Sequence, residues 1–429
     1  MYLLYNALAL LAIGLTLPYW VWRYFTTPKY KEGLRQRLGT LPAAVVADLA
    51  DHPCLWLHAV SVGETMAALG LVEALHRRYP ELRVVFSTVT ATGQRVARER
   101  VACADHVIYF PLDLPWMVRR VVAQLRPQLF VVMETEIWPN CFRELGRRGV
   151  PIVIANGRLS PSSFQGYRRL RFVMRRVLAP VTRFAMQSEG DGARMRAIGA
   201  EPSRVVVTGN VKVDEARALP DAAAMAQLAT RIGGPTAGPV WICASTHEGE
   251  EAICLDAFAR LRPQWPELRL ILAPRHPERC DAVDRLLRDR GIDFLRLSAA
   301  GGRWHEPCLL VDEVGWVMRL YGYATVAFVG GSLVATGGHN LLEPAAWGVA
   351  SCFGPHTFNF PDITEGLLAA GGGIRVADGA TLERETRALF ADPARRQAVG
   401  EAARRLVEAK GGAVARTVAV VAEAMEARG

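Results

Sequence analysis

The chain has 429 residues, more than one hydrophobic core supports, since single cores seldom grow beyond about 250 to 300 residues. Its formal net charge of +9 suits an anionic membrane face, a phosphorylated ligand or nucleic acid, but no aromatic-basic surface motif or zinc spacing supports the last. The eight cysteines form no CxxC pair and sit mostly in apolar runs, which argues against a zinc site or disulfide framework and for reduced core residues in a cytosolic compartment.

The longest apolar run comes first. From Met1 to Trp22 there is no charge, and "YLLYNALALLAIGLTLPYWVW" is long enough to cross a hydrocarbon core of about 30 Å as a helix. Residues 1–24 are expected to be a membrane anchor, retained because they lack a basic n-region and a small-residue cleavage site. Basic residues lie only on its carboxyl side, with Trp20, Trp22 and Tyr24 at the boundary, which favours a cytoplasmic remainder. Asn6 and Pro18 suit a tilted or partly inserted helix as well as a spanning one. Just beyond, "TTPKYKEGLRQRLG" (26–39) sets one acid, Glu32, among Lys29, Lys31, Arg35 and Arg37.

Strand-like and helix-like segments then take turns. Apolar runs at 54–60, 82–90, 106–110, 129–136, 151–156, 183–188 and 204–210 alternate with helical patterns such as "GETMAALGLVEALHRRY". Continuous apolar strands with intervening helices predict a parallel sheet covered on both faces. An Ala-rich stretch broken by "GGPTAGP" reads as a boundary, after which runs at 240–246, 268–274, 292–297, 307–312, 324–331, 350–354 and 372–378 repeat the alternation. The expected organisation is an anchor (1–24), a first α/β domain (25–215), a linker (216–238), a second α/β domain (239–405) and a carboxyl-terminal helix (406–429) weakest at Gly411 and Gly412. Ligands of doubly wound sheets bind beyond the carboxyl ends of the strands, here in a cleft between the two domains.

The loops at those ends are polar and glycine-rich. In "HAVSVGET" (58–65), His58, Ser61, Gly63 and Glu64 occupy a turn and helix start where free N–H groups face a ligand. A capping box pairing Ser61 with Glu64 is the stronger reading of that carboxylate. "METEIWPN" (133–140) offers Glu134, Glu136 and Asn140, either to hold a sugar hydroxyl or to order the loop. "ASTHEGEE" (244–251) puts Ser245, Thr246 and His247 at a strand-to-helix junction, a natural phosphate seat. "APRHPER" (273–279) adds Arg275, His276 and Pro277; Arg275 either meets an anion or pairs with Glu278. "FVGGSLVATGGHNLLEPAA" (328–346) brings Gly330, Gly331, Gly338, His339, Asn340 and Glu343, with glycines approaching a helix start for phosphate and a carboxylate for ribose hydroxyls. GxGxxG and GxxxxGK[ST] are both absent, so hydride transfer and NTP hydrolysis lose their usual fingerprints.

These motifs carry a resemblance. "KEGLRQRLG", "HAVSVGE", "FSTVTATG", "FPLDLP", "METEIWPN", "IANGRLS", "TGNVKVD", "ASTHEGEE", "APRHPER", "FVGGSLVATGGHNLLEPAA" and "GPHTFNF" match, in order and up to about Phe360, the 3-deoxy-D-manno-oct-2-ulosonic acid (Kdo) transferases of lipopolysaccharide and lipid A biosynthesis. The resemblance implies an α/β, two-domain glycosyltransferase B fold and a bacterial inner-membrane location. It implies inverting transfer of Kdo from CMP-Kdo to the lipid A precursor lipid IV(A), or to a Kdo already attached. No metal or cofactor is expected, and the partners are the acceptor lipid, the inner membrane and CMP, with no nucleic acid. The second domain takes the donor, and the acceptor side falls to the first, including Lys31, Arg35, Ser61, Gly63, Glu64, Glu134 and Glu136. The family's proposed catalytic base falls on Glu32, and one departure is visible: relatives read roughly "DTMGEL" where this chain has "DEVGWV" (312–317), with Trp316 in place of an acid.

Chemistry supports the assignment of Glu32. The transfer needs a base for the acceptor hydroxyl, a seat for the departing phosphate and tolerance of positive charge at the anomeric carbon. The acceptor's acyl chains stay in the bilayer, so its headgroup meets the protein just past the anchor. There the neighbouring cations hold acceptor phosphates and favour an ionised Glu32. A membrane-adhesive basic patch explains the cations but not "EGL" among them. A transferase for a UDP or ADP sugar, and a non-enzymatic nucleotide-binding protein, are the rival readings.

Overall fold

The computed structural model describes residues 1–27, 32–234 and 238–427. Lys29 and Lys31 lie outside them, as do positions 235–237 of the expected linker. The chain divides into two units, Met1–Glu215 with Gly411–Gly429, and Ala216–Lys410.

The first unit is a seven-stranded parallel sheet of β1 (Cys54–His58), β2 (Arg83–Thr88), β3 (His106–Tyr109), β4 (Pro127–Met133), β5 (Ile152–Gly157), β6 (Arg183–Met186) and β7 (Val205–Val207). Their order is β3-β2-β1-β4-β5-β6-β7. Side chains alternate across each strand: Cys54 and Trp56 join Val85 and Phe130 on one face, Leu55 and Leu57 join Val84 and Phe86 on the other. Helices cover both faces, so every residue of β1 is buried and the strand shows no polar alternation.

The second unit repeats the plan with β8 (Val240–Thr246), β9 (Arg269–Pro274), β10 (Phe294–Arg296), β11 (Cys308–Leu310), β12 (Val326–Val329), β13 (Ala350–Phe353) and β14 (Ile374–Arg375), ordered β10-β11-β9-β8-β12-β13-β14. Every paired neighbour is parallel. Trp241 and Cys243 face one core cluster, Val240 and Ile242 the other. Two such units give the glycosyltransferase B architecture. The order reverses around β1 and β4 in the first unit and around β8 and β12 in the second, and those two points are where a doubly wound sheet opens a crevice.

Four of the described helices stand apart from this alternation. Ala222–Ile232, within the expected linker, buries Leu228 and Ile232 in the second unit's core. Pro393–Lys410 belongs to the second unit, and Ala413–Glu426 returns to the first, where Val420, Val421 and Ala424 pack with Leu71 and Leu75. Between them Gly412 takes a left-handed φ of +82°, and Asp214 accepts hydrogen bonds from the amides of Gly412 and Val414 at 2.5 and 2.6 Å. The amino-terminal helix Tyr2–Thr26 is long and apolar enough to cross a membrane, with a mean hydropathy of 1.5 in its most apolar window and no fully buried residue. Seven of the eight free cysteines are buried, and Cys103 is partly so.

Candidate active site

Glu32 precedes Gly33, whose φ of +69° caps the four-residue helix Leu34–Arg37. That helix sits against the carboxyl end of β3. Gln36 Oε1 accepts the Tyr109 amide at 2.7 Å, the Arg37 carbonyl accepts the Leu112 amide at 2.9 Å, and the Arg37 guanidinium lies 4.3 Å from the Tyr109 ring centroid. Arg37 also donates to the Val89 carbonyl at 2.5 Å, so this cation is committed to structure. The Glu32 side chain is 53% exposed, and Arg98 approaches its carboxylate at 3.9 Å. Arg98 comes from the helix Ala91–Arg100 and carried no signal beyond its place in the run after "TATG". Arg35 is exposed. Burial, with Glu32 nearby, pushes the Tyr109 phenol up, so this wall stays protonated.

At the β1–β4 crevice, Ser61 caps the helix Val62–Arg78 and its Oγ accepts the Glu64 amide. Glu64 in turn accepts from Ser61 Oγ at 3.1 Å and from the Val60 amide at 2.8 Å, a capping arrangement shifted one residue outward. Gly63 sits in the first turn with open space around it apart from Ser61 Oγ. Glu134 takes a left-handed φ of +55° at the end of β4 and pairs with Lys212 at 3.3 Å. Burial pushes Glu64 up and Glu136 up to about 7, each further raised by its carboxylate neighbours. Lys212 thus offsets Glu134 and Glu64 but not Glu136, which holds its proton near neutrality. Asn140 is buried and turned elsewhere, its side chain donating to Asn6 and to the Asp113 carbonyl. His58 is fully buried, with Nδ1 3.0 Å from Ser87 Oγ and its ring stacked on Phe110, and desolvation lowers it to about 3.

At the β8–β12 crevice the organising group is Glu250, which sequence reasoning missed. Its fully buried carboxylate accepts four amides: His247 at 2.9 Å, Gly331 at 2.7 Å, Ser332 at 3.0 Å and Leu333 at 2.9 Å. The signal was an acid heading a helix in "HEGEE", but three of its four partners lie in a loop far along the chain. Two amides of the glycine loop are thereby used within the protein: Gly330 donates to Ala244 O and Gly331 to Glu250. Gly330 is required for closeness, since a Cβ there would meet Thr246 Cα at 2.7 Å. Ser245 takes φ +56° and Thr246 is buried. Gly338 takes φ +75° and donates to the Gly331 carbonyl.

Three imidazoles gather above this loop. His247 and His339 place their Nε2 atoms 2.8 Å apart with nearly parallel rings, and His276 meets His247 edge-on at 5.6 Å between centroids. Desolvation and the neighbouring Arg275 lower His339 to about 4, and desolvation lowers His247. Arg275 and His276 are exposed at the end of β9, with Pro277 opening a short 3-10 turn. Glu278 pairs with His276 at 3.7 Å, and among the described residues no carboxylate lies within ion-pair distance of Arg275. Asn340 Nδ2 donates to Glu343 Oε1 at 3.2 Å, and Glu343 is half-buried in the short helix Leu342–Ala346. Trp316 donates to Glu313 at 3.1 Å and carries Arg319 over its ring at 4.8 Å. It is therefore packed and pinned. Among the described residues no group of three His, Cys, Asp or Glu side chains is placed to hold a metal ion.

The family model for "3-Deoxy-D-manno-octulosonic-acid transferase (kdotransferase)" matches residues 32–215. The 3-deoxy-D-manno-octulosonic acid transferase of Haemophilus influenzae is 36% identical over 394 residues, 91% of each chain. The enzyme of the same name from Bordetella pertussis is 39% identical over 397 residues, 89% of each. A crystal structure of UDP-GlcNAc 2-epimerase from Neisseria meningitidis superposes with a TM-score of 0.60 at 13% identity, covering 86% of this chain and 99% of that one, and shares the fold. With more than a third of its residues identical to a full-length relative across nine-tenths of both chains, the protein belongs to the 3-deoxy-D-manno-octulosonic acid transferases.

Proposed function

We propose that this transferase moves Kdo from CMP-Kdo to lipid IV(A), or to a Kdo already attached, by a single displacement that inverts the anomeric centre, with Glu32 as general base. The acceptor oxygen bonds to the anomeric carbon as the bond from that carbon to the CMP phosphate breaks. The hydroxyl proton passes to Glu32, and CMP leaves with the bonding pair. No covalent nucleophile enters.

The observation that carries this reading is the setting of Glu32. Its carboxylate is open to solvent on one side, with Arg98 near it and a protonated Tyr109 behind, on a turn braced against β3. A hydroxyl can reach it, and a carboxylate placed there can take its proton. Glu64, Glu134 and Glu136 are poorer bases for this step, since Glu64 is spent on capping, Glu134 is paired with Lys212 and Glu136 holds its proton up to about pH 7. Their place is acceptor contact, with Ser61, Gly63, Arg35 and Lys31.

The second unit holds the donor. Arg275 and His276 offer an unneutralised cation and an imidazole to the departing phosphate, with His247, His339, Ser245 and Thr246 beside them. Glu343, positioned by Asn340, accepts ribose hydroxyls. The transfer step uses no metal or cofactor. The enzyme sits on the bacterial inner membrane through its amino-terminal helix, with both units in the cytoplasm. Mass spectrometry of lipid IV(A) incubated with the enzyme and CMP-Kdo tests the reaction and counts the sugars added. Consumption of a UDP or ADP sugar instead would overturn it.

A further inference from the structure

The amino-terminal helix, Tyr2–Thr26, is about 37 Å long at 1.5 Å per residue, enough to cross a bilayer. Length therefore does not decide how it meets the membrane, but its contacts do. Its amino end is fastened to the first unit. Tyr5 donates its hydroxyl to Asp113 at 3.0 Å, Asn6 Oδ1 accepts from Asn140 at 2.7 Å, Arg143 lies 4.5 Å from the Tyr2 ring centroid, and Met1 packs against the core. Asp113 is buried and its carboxylate also takes the amides of Asn140 and Cys141, which start the helix Pro139–Arg147. Were the helix to cross a bilayer, these first residues would lie on its far side, and a buried carboxylate and a buried amide would each lose a partner.

The rest of the helix and its surroundings suit a lipid surface. Leu3, Leu15 and Phe25 are 87%, 75% and 73% exposed. The "FPLDLP" loop that carries Asp113 also exposes Leu112, next to exposed Trp116, and the Leu112 amide binds the turn that exposes Leu34 and Leu38. Exposed Arg35, Arg119 and Arg120 are interspersed among them. Apolar side chains among arginines form a surface complementary to an anionic bilayer. We propose that the amino-terminal helix is a monotopic anchor, lying along the cytoplasmic face of an anionic bilayer with Tyr2, Tyr5 and Asn6 held on the first unit by Arg143, Asp113 and Asn140. This rests on the membrane location proposed above.

The test uses the full chain with one epitope tag before Met1 and another after Gly429, digested with protease in spheroplasts and in inverted inner-membrane vesicles. Both tags are expected to survive in spheroplasts and to be removed in inverted vesicles. Removal of the leading tag from spheroplasts while the trailing tag survives would overturn the monotopic arrangement and leave the membrane location standing. Recovery of the chain in the soluble fraction would overturn both. A second arm pairs Tyr2→Cys with Arg143→Cys in vesicles. A short bismaleimide is expected to join them within one chain, and failure to join two cysteines that each react with maleimide would contradict the clasp.

Discussion

Gly33 and Tyr109 are in such close contact that a Cβ on Gly33 would lie 1.9 Å from Tyr109 Cδ2. Only glycine fits, because the position also has φ +69°. This contact sets the turn on which Glu32 sits. Gly33→Ala is expected to cost about 1 to 3 kcal/mol, from left-handed strain and overpacking, and to reduce turnover more than donor affinity. Thermal melting with turnover and CMP titration checks it; unchanged turnover would separate the turn from the chemistry.

Glu250 gives the second expectation. Glu250→Gln replaces an oxygen that accepts two amides by an NH2 group that faces them, so at least one buried donor loses its acceptor. A loss of roughly 3 kcal/mol is expected, with weaker CMP binding, since hydrogen bonds to charged groups carry about 1.5 to 3 kcal/mol. Denaturant unfolding and calorimetry measure the two effects. A variant as stable as the parent would show that the loops hold without this carboxylate.

Glu136 makes stability depend on pH. Its carboxyl is raised from 4.5 to about 7, so between those values the folded state binds more protons than the unfolded chain. Stability contributed by this group therefore falls as pH rises through that window. Glu136→Gln is expected to flatten the dependence and, relative to the parent, to gain on the order of 1 to 2 kcal/mol at pH 8 over pH 5, discounted for partial exposure. Melting curves across this range check it, and a difference independent of pH would contradict it.

Arg275 is exposed and, among the described residues, has no ion-pair partner, so its removal is expected to leave melting unchanged. Arg275→Ala should weaken CMP binding by about 10-fold or more, the scale of one charge-assisted hydrogen bond, and added salt should narrow the gap. Calorimetry at two salt concentrations measures this. Equal CMP affinity in both proteins would remove Arg275 from the donor site.

The strands were legible because helices bury both faces of each sheet, which leaves unbroken apolar runs such as "CLWLH" and "VWICAST". The loops at their carboxyl ends were legible as polar, glycine-rich turns. Pairings between distant segments were not. Glu250 looks like an ordinary acid at a helix start until its four amides are counted. Arg98 is one arginine in a helix that has three, and Asn6 looked like a blemish in an apolar helix rather than one half of a contact with Asn140. The cations beside Glu32 in sequence were misleading in part, since Arg37 is turned onto Tyr109 and Val89.

The most direct measurement is turnover of Glu32→Gln with CMP-Kdo and lipid IV(A) both saturating, alongside CMP affinity and thermal melting. Glutamine keeps the shape and hydrogen-bonding reach but cannot take the proton. Turnover is predicted to fall by roughly 100-fold to 10,000-fold with affinity and melting unchanged, the range of a positioned general base. Near-parental turnover would contradict the assignment and send the proton elsewhere, and loss of folding together with turnover would make Glu32 a structural residue.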